Sequence, residues 1–360
     1  MNKLNNTVLI VAGGTGGHIY PALAVADLLR ERDIATVWLG SRQGMETHIV
    51  PNAGIRLVTI AVSGLRGRGA LRWVFAPFAL AYALVQSLIA MIRIRPRVVL
   101  GMGGFASGPG GLAAWLCRRP LIVHEQNALP GLTNKLLSRL ATTLFEAFPG
   151  SFPPARRAVA VGNPVRRQIT DLPAPAERSL GTDPLRILVV GGSRGARALN
   201  ESVPVAITQL NSTALSIWHQ CGQGNRRTTE AAYRDAAGSV RVSEFIEDMA
   251  AAYAWASIVV CRSGALTVSE LAAAGLGSIL VPFPYAVDDH QSANARYLVN
   301  AGAAFIVAEG PDFETRLNDA IAQVNRDRAR VVALAEKARS LAMPGAAVAV
   351  ADRCEELLHV

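Results

Sequence analysis

Three glycine-rich turns each follow a short β-branched run: Gly13-Gly14-Thr15-Gly16-Gly17 after Thr7 to Val11, Gly101-Met102-Gly103-Gly104 after Val98-Val99-Leu100, and Gly191-Gly192-Ser193-Arg194-Gly195 after Ile187 to Val190. A strand that turns on glycine into a helix start brings bare N–H groups to one point. Those groups and the helix dipole together favour phosphate. One glycine turn also serves where no ligand binds, but three point to a protein that handles more than one phosphorylated molecule. His18 ends the first turn, and His124-Glu125-Gln126-Asn127 closes another apolar run, so these groups are placed for proton transfer. Metal chemistry has little to work with. There is no Asp-x-Asp, adjacent side chains such as Asp288-Asp289-His290 seldom point at one ion, and Cys117, Cys221, Cys261 and Cys354 form no C-x-x-C.

Short apolar runs alternate with longer helix-periodic stretches, the pattern of an α/β protein with parallel sheets. Strands are predicted at 7–12, 35–40, 57–61, 97–101, 120–124 and 158–162, and again at 186–190, 215–220, 240–242, 257–260, 278–281 and 304–307. Residues 163–185 carry four prolines and read as a linker. Both halves open with strand, glycine turn and helix, so the expected fold is two Rossmann-like doubly wound domains facing a cleft, with ligands at the carboxyl ends of the strands.

The chain is long enough, at 360 residues, for two cores, and 51% of it is hydrophobic. The apolar run begins directly after Asn6, so no signal peptide is expected ahead of the fold. Charge is uneven. Residues 1–170 hold 19 Lys/Arg against 6 Asp/Glu, and residues 171–360 hold 17 against 21. A basic first half suits an anionic surface. Nucleic acid is not expected, because interleaved aromatics and nucleic-acid motifs are missing. Trp73 to Ile92 is 20 residues without a charge, flanked by Arg66, Arg68 and Arg72 before and by Arg93, Arg95 and Arg97 after. A membrane span, a buried helix pair and interfacial docking are the three readings. Pro77, Gln86 and Ser87 weigh against a span, and docking of apolar side chains beneath anionic headgroups is the favoured one.

The motifs GGTGGHIYPALAVADLL at 13–29, GLRGRG at 64–69, GMGGFASGPGGLAA at 101–114, HEQNALPGLTNKLLSRLA at 124–141 and VGNPVR at 161–166 resemble the MurG family. So do VVGGSRGARALNE at 189–201, HQCGQG at 219–224, FIEDM at 245–249, RSGALTVSELAAAG at 262–275 and PFPYAVDDHQSANA at 282–295, in family order over nearly the whole chain. The resemblance implies the GT-B fold and an inverting transferase. Such an enzyme moves N-acetylglucosamine from UDP-N-acetylglucosamine to the 4-hydroxyl of lipid I, the undecaprenyl-diphosphate-linked acceptor, at the cytoplasmic face of the inner membrane. It also implies no cofactor, and leaves room for contacts with other cell-wall synthesis proteins. An acceptor-binding, membrane-associating domain is expected over 1–163, a linker over 164–185 and a donor-binding domain over 186–343, with a helix near 344–360 packed back on the first.

For the chemistry, His18 is expected as general base and Glu125 as the second candidate for that role; with His18 as base, Glu125 and Asn127 are expected to position the acceptor or the donor sugar. Thr15, Gly16 and Gly17 would face the reacting sugars. Arg166 and Ser193 would hold the donor diphosphate, where a guanidinium can fork onto two oxygens. The resemblance places the donor's sugar and ribose along Ala265, Leu266, Thr267, Val268, Ser269 and Glu270, with Phe245-Ile246 over the uracil and Gln291 on sugar hydroxyls. Gly14, Gly103 and Gly104 are expected near the acceptor diphosphate. A nicotinamide-dependent oxidoreductase is the first rival, but position 19 is Ile rather than the third glycine and Trp38-Leu39-Gly40-Ser41 offers no acid for a ribose. A non-catalytic membrane scaffold and a related transferase using another lipid are the others.

Overall fold

The computed structural model describes residues 6–62, 70–192 and 195–359, with backbone alone at 70–75 and 287. Ser193 and the 64–69 motif therefore lie outside the described residues. The chain forms two compact units, Met1–Arg166 with Pro344–Val360, and Arg167–Met343.

In the first unit the strands are β1 (Thr7–Val11), β2 (Ala35–Ser41), β3 (Arg56–Ile60), β4 (Val98–Gly101), β5 (Leu121–Glu125), β6 (Thr143–Glu146) and β7 (Val159–Ala160). In the second they are β8 (Leu185–Val190), β9 (Leu215–Gln220), β10 (Ser239–Ser243), β11 (Ile258–Cys261), β12 (Gly277–Leu280) and β13 (Ala304–Ile306). The sheet orders are β3-β2-β1-β4-β5-β6-β7 and β10-β9-β8-β11-β12-β13, with every pairing parallel. Each unit thus reverses direction beside its own first strand, between β1 and β4 and between β8 and β11. A crevice opens at such a switch point because the connections on either side leave to opposite faces. Strand β6 was not predicted from the sequence. Its Thr-Leu-Phe-Glu run is too short to show a period.

The helices are α1 (Gly16–Glu31), α2 (Glu46–Asn52), α3 (Ala70–Ile94), α4 (Ser107–Leu116), α5 (Leu132–Leu137), α6 (Arg167–Thr170), α7 (Arg197–Leu210), α8 (Arg226–Ala232), α9 (Met249–Trp255), α10 (Ala265–Ala274), α11 (His290–Asn300), α12 (Phe313–Arg326), α13 (Arg328–Ser340) and α14 (Ala346–Leu358). Helix α14 packs on α1 and fills one side of the first core with Val350, Ala351, Cys354, Leu357 and Leu358, against Val8, Ile10 and Leu29. Arg32 ties the two helices at the rim through Asp352 and Glu355.

The 163–185 segment is not a free linker. Its part beyond Arg166 belongs to the second unit. There the Arg178 guanidinium donates to the carbonyls of Ala274 and Tyr253 at 2.8 and 2.6 Å. Arg339 donates to Leu172 and Ala273 from the other side. Prolines here shape a packed strap rather than a tether.

The apolar stretch forms one helix, α3, and its faces are inverted relative to an ordinary surface helix. Ala83, Ser87 and Ala90 face the protein, whereas Phe78, Tyr82, Val85, Ile89 and Ile92 form an exposed stripe at spacings of four and three residues. Phe78 is 72% and Ile92 65% exposed, which rules out the buried-helix-pair reading. The polar residues of the stretch are used on the inside: Gln86 accepts from the Ala61 amide at 2.7 Å, and Ser87 donates to the Ala83 carbonyl at 2.8 Å. Small inward residues let α3 approach α4, and the exposed apolar band runs on through Trp115 and Leu116 of α4 to Leu132 and Leu136 of α5. Exposed Arg93, Arg95, Arg97, Arg118, Lys135 and Arg139 lie on the same segments. Leu358→Ala should destabilise the chain by about 2–4 kcal/mol, the usual result of emptying a buried leucine site, read as a lower urea midpoint.

Candidate functional site

In the first unit the loops after β1 and β4 meet at the switch point. The Ser107 hydroxyl, at the start of α4, lies 2.9 Å from the Val11 carbonyl and 2.7 Å from that of Gly103, so it is shared between the two loops. Gly103 and Gly104 have φ of +89° and +84°. They are glycine for a second reason. A Cβ on Gly104 would sit 2.1 Å from the Gly13 carbonyl oxygen, and one on Gly103 would sit 2.6 Å from His18 Nδ1. The two glycine turns are therefore one assembly.

Beneath them lies a carboxylate that sequence reading missed. Glu46 opens α2 and is wholly buried. Its oxygens accept from the Gly14 amide at 3.0 Å, the Ser41 amide at 2.8 Å and the Ser41 hydroxyl at 2.6 Å. A Cβ at Gly13, Gly40 or Gly44 would collide with it, within 2.7 Å in each case. The only sequence signal was glycine on three sides of one acid. This corrects the reading of Gly14 as an anion ligand: its N–H is committed to Glu46, and a phosphate there would face a buried carboxylate.

Helix α1 begins immediately above. Its first intrahelical bonds run from the His18 and Ile19 amides to the Thr15 carbonyl, so the Gly16 and Gly17 amides lie ahead of them. Thr15 is exposed and His18 half-exposed. His18 Nδ1 is 3.0 Å from Gln126 Oε1, and Gln126 Nε2 is 3.2 Å from His124 Nδ1. His124 Nε2 is 2.9 Å from the Gly162 carbonyl. His124 is fully buried, and burial, with a smaller push from His18, lowers its pKa to about 4. Arg166 stacks on Tyr20, one turn into α1, its guanidinium carbon 5.1 Å from the ring centroid.

Glu125 is not available as a base. It is 1% exposed and accepts from the Asn127 amide and side chain, the Gly131 amide and Asn134 Nδ2, at 2.9 to 3.2 Å. A carboxylate so saturated organises the loop that presents Asn127, and has no lone pair directed outward for a substrate proton.

The second unit repeats the plan with different side chains. The turn after β8 is fixed by Gln220, whose Oε1 accepts from Gly192 N at 2.9 Å and whose Nε2 donates to Gly192 O at 3.0 Å. A Cβ on Gly195 would lie 2.1 Å from the Cys221 carbonyl. That carbonyl also accepts from Asn200 Nδ2 at 2.9 Å, so Asn200 Oδ1 faces His219 Nε2 at 3.0 Å, and the Tyr233 hydroxyl completes the chain on Nδ1 at 2.9 Å. Burial holds the His219 pKa down at about 3.

After β11, Gly264 leads into α10. The first intrahelical bond, Val268 N to Gly264 O at 2.9 Å, leaves the Leu266 and Thr267 amides ahead of it. Val268 is wholly buried, with its amide bonded to the Gly264 carbonyl. Ser269 donates to the Ala265 carbonyl at 3.1 Å. Glu270, mostly buried, accepts from the Tyr253 hydroxyl at 3.1 Å. Gln291 accepts from the Phe283 amide through Oε1 at 2.9 Å, which turns its NH2 group outward from that bond. Arg262 braces the same loop by donating to the Val281 and Pro282 carbonyls, each at 3.2 Å. Ile246, after β10, is buried beside an exposed Phe245. Among the described residues no three His, Cys, Asp or Glu side chains gather as a metal site.

Comparisons with known proteins bear on the family and the fold. Residues 8–146 match the glycosyltransferase family 28 N-terminal domain and residues 186–351 its C-terminal domain. The UDP-N-acetylglucosamine–N-acetylmuramyl-(pentapeptide) pyrophosphoryl-undecaprenol N-acetylglucosamine transferase of Nitrosococcus oceani is 53% identical, covering 97% of this chain and 98% of its own. The crystal structure of Acinetobacter baumannii MurG superposes with a TM-score of 0.85 at 40% identity, covering 98% of this chain and 99% of that one. A kitacinnamycin glycosyltransferase shares the fold alone, with a TM-score of 0.71 at 17% identity over 98% of this chain and 99% of its own. The parallel two-domain architecture is thus that of GT-B glycosyltransferases.

Two outcomes follow from these networks. Glu46→Ala strands the Gly14 and Ser41 donors in the interior at about 1–3 kcal/mol each, and should lower both the melting temperature and turnover. For His219 the folded pKa of about 3 lies below the ordinary 6.5, so the unfolded chain takes up the proton first. Its contribution is complete above pH 6.5 and is lost as pH falls toward 3, with His124 acting in the same direction. Stability measured from pH 7 to 4 should therefore drop, and His219→Gln should flatten the drop.

Proposed function

Because the chain belongs to the MurG family of family 28 glycosyltransferases, we propose that it transfers N-acetylglucosamine from UDP-N-acetylglucosamine to the 4-hydroxyl of the N-acetylmuramoyl unit of lipid I, forming lipid II and UDP. The observation that carries the assignment of roles is His18, half-exposed at the head of α1 on the switch point, beside a Glu125 already saturated by donors. The acceptor oxygen attacks C1 of the donor sugar while His18 Nε2 takes its proton. The C1–O bond to the diphosphate breaks, and its electron pair leaves on UDP. One displacement inverts the α-linked donor to a β-1,4 product. The free hydroxyl is far too weak an acid to ionise unaided, which is why a positioned base accelerates the step.

The leaving diphosphate gains charge, and preorganised donors lower that barrier. Arg166, Ser193 and the amides of Leu266 and Thr267 supply them. Glu270 accepts from the ribose, Ile246 meets the uracil through its backbone, and Ala265, Ser269 and the NH2 of Gln291 meet the sugar. Asn127, Thr15, Gly16 and Gly17 border the reacting hydroxyl. Gly103 and Gly104, in the turn that leads into α4, lie nearest the lipid's diphosphate.

The lipid acceptor explains the inverted face of α3. In this reading the exposed stripe enters the acyl boundary, the arginines around it meet anionic headgroups, and the enzyme works peripherally at the cytoplasmic face of the inner membrane; the exposed Phe78, Tyr82, Val85, Ile89 and Ile92 support it. Val85→Glu with Ile89→Glu should cut sedimentation with phosphatidylglycerol vesicles about 10-fold or more, with UDP-N-acetylglucosamine affinity retained. Mixing donor with a lipid I analogue should release UDP, and His18→Ala should lower kcat by about 100-fold or more. A chain that binds vesicles but releases no UDP is a scaffold instead, and one that prefers another lipid acceptor is a related transferase.

A further inference from the structure

The run His18, Gln126, His124 and the Gly162 carbonyl has only one consistent assignment of hydrogens. A carbonyl oxygen only accepts, so the 2.9 Å contact from His124 Nε2 to Gly162 O puts a hydrogen on Nε2. His124 is buried and neutral, so its Nδ1 carries a lone pair. Only the NH2 of Gln126 can satisfy that lone pair, at 3.2 Å. The amide cannot flip, because its oxygen would then face the lone pair. Gln126 Oε1 is thereby turned to His18, 3.0 Å from Nδ1, and it too only accepts. His18 Nδ1 must carry a hydrogen, and the lone pair of the neutral ring is confined to Nε2.

We propose that Gln126 and His124 are positioning residues that transmit the Gly162 carbonyl, through three hydrogen bonds, into the tautomer of His18 that leaves Nε2 free to accept the substrate's proton. The inference rests on His18 being the base. A histidine side chain free in water favours the opposite form, with hydrogen on Nε2, so without this relay most neutral His18 would be the wrong acid–base partner. The fold holds the relay from several sides. Asn163 Nδ2 donates to the Gln126 carbonyl at 3.1 Å. Gln126 itself is buried, so water does not substitute for it. Gly103 leaves the space through which the two side chains meet.

Carboxamide chemistry also fixes what the relay does not do. Gln126 bears no charge, so it orients His18 without stabilising the imidazolium as a carboxylate would. The other titratable groups on the elements around His18 are Glu46 beneath Gly13 and Gly14, Glu125 at the end of β5 and Arg166 across the Tyr20 ring.

The test reads the tautomer directly. In the full chain labelled with 15N-histidine, the neutral His18 ring, identified by its loss in His18→Ala, should show a protonated Nδ1 and a bare Nε2. Protonated Nε2 overturns the relay. Gln126→Leu should shift His18 toward the Nε2–H form and lower kcat about 10- to 100-fold, with little change in donor KM. Gln126→Glu keeps an acceptor on Nδ1 but adds charge, so the acid limb of the kcat profile should move to higher pH. A merely structural Gln126 would lower kcat and leave the limb in place, which also overturns the relay. Normal turnover by His18→Ala sinks the base assignment itself, and the relay's catalytic purpose with it. An Nε2–H ring in an enzyme that needs His18 sinks the relay alone.

Discussion

The first unit's site depends on a carboxylate that never meets substrate. Glu46 occupies the space where three glycines lack side chains, and its hydrogen bonds pull the loop after β1 onto the loop after β2. Once that loop is fixed, Gly104 can close on the Gly13 backbone and Gly103 can admit the contact between His18 and Gln126. A buried charge is costly to desolvate and worthwhile only when fully bonded. Three donors at 2.6 to 3.0 Å meet that condition. The geometry of the histidine is thus inherited from packing and electrostatics on the far side of its loop.

The two units answer the same topological problem with different parts. Each needs its first loop held rigid at the switch point. One uses an acid under glycine amides, and the other uses Gln220 clamping both polar groups of Gly192. The clamp on Gly192 is uncharged, whereas the acid beneath Gly14 makes the first loop a poor site for an anion. Similar glycine spelling therefore conceals different electrostatic surroundings, a difference in keeping with the proposed donor diphosphate in the second unit and the proposed proton transfer in the first.

Much of this was legible in the sequence. The glycine turns, twelve of the strands and the family motifs carried the fold, because strand periodicity and turn chemistry are local. The helix start that carries His18 and the turn that opens α10 were visible for the same reason, whereas the donor contacts expected along α10 came from the family resemblance. What could not be read was long-range partnership. Gly13, Gly40, Gly44 and Glu46 become one cluster only when β1 and β2 pair. Glu125 looked like a second base because sequence does not show that Asn127, Gly131 and Asn134 are already donating to it. Within the α10 segment expected to meet the donor, sequence also does not show that the Val268 side chain turns inward.

Helix α14 has a consequence for how the molecule is made. The residues that finish the first core, Val350 to Leu358, emerge from the ribosome after the whole of Arg167–Met343. At ordinary rates of synthesis the interval is roughly 10 to 40 s. Through it, the α1 surface that α14 will cover stands open while the second unit has everything it needs to fold. The later-made half is therefore complete first, and the half that carries the apolar band on α3 is the one that waits, a span in which a nascent chain has most to gain from chaperone shelter.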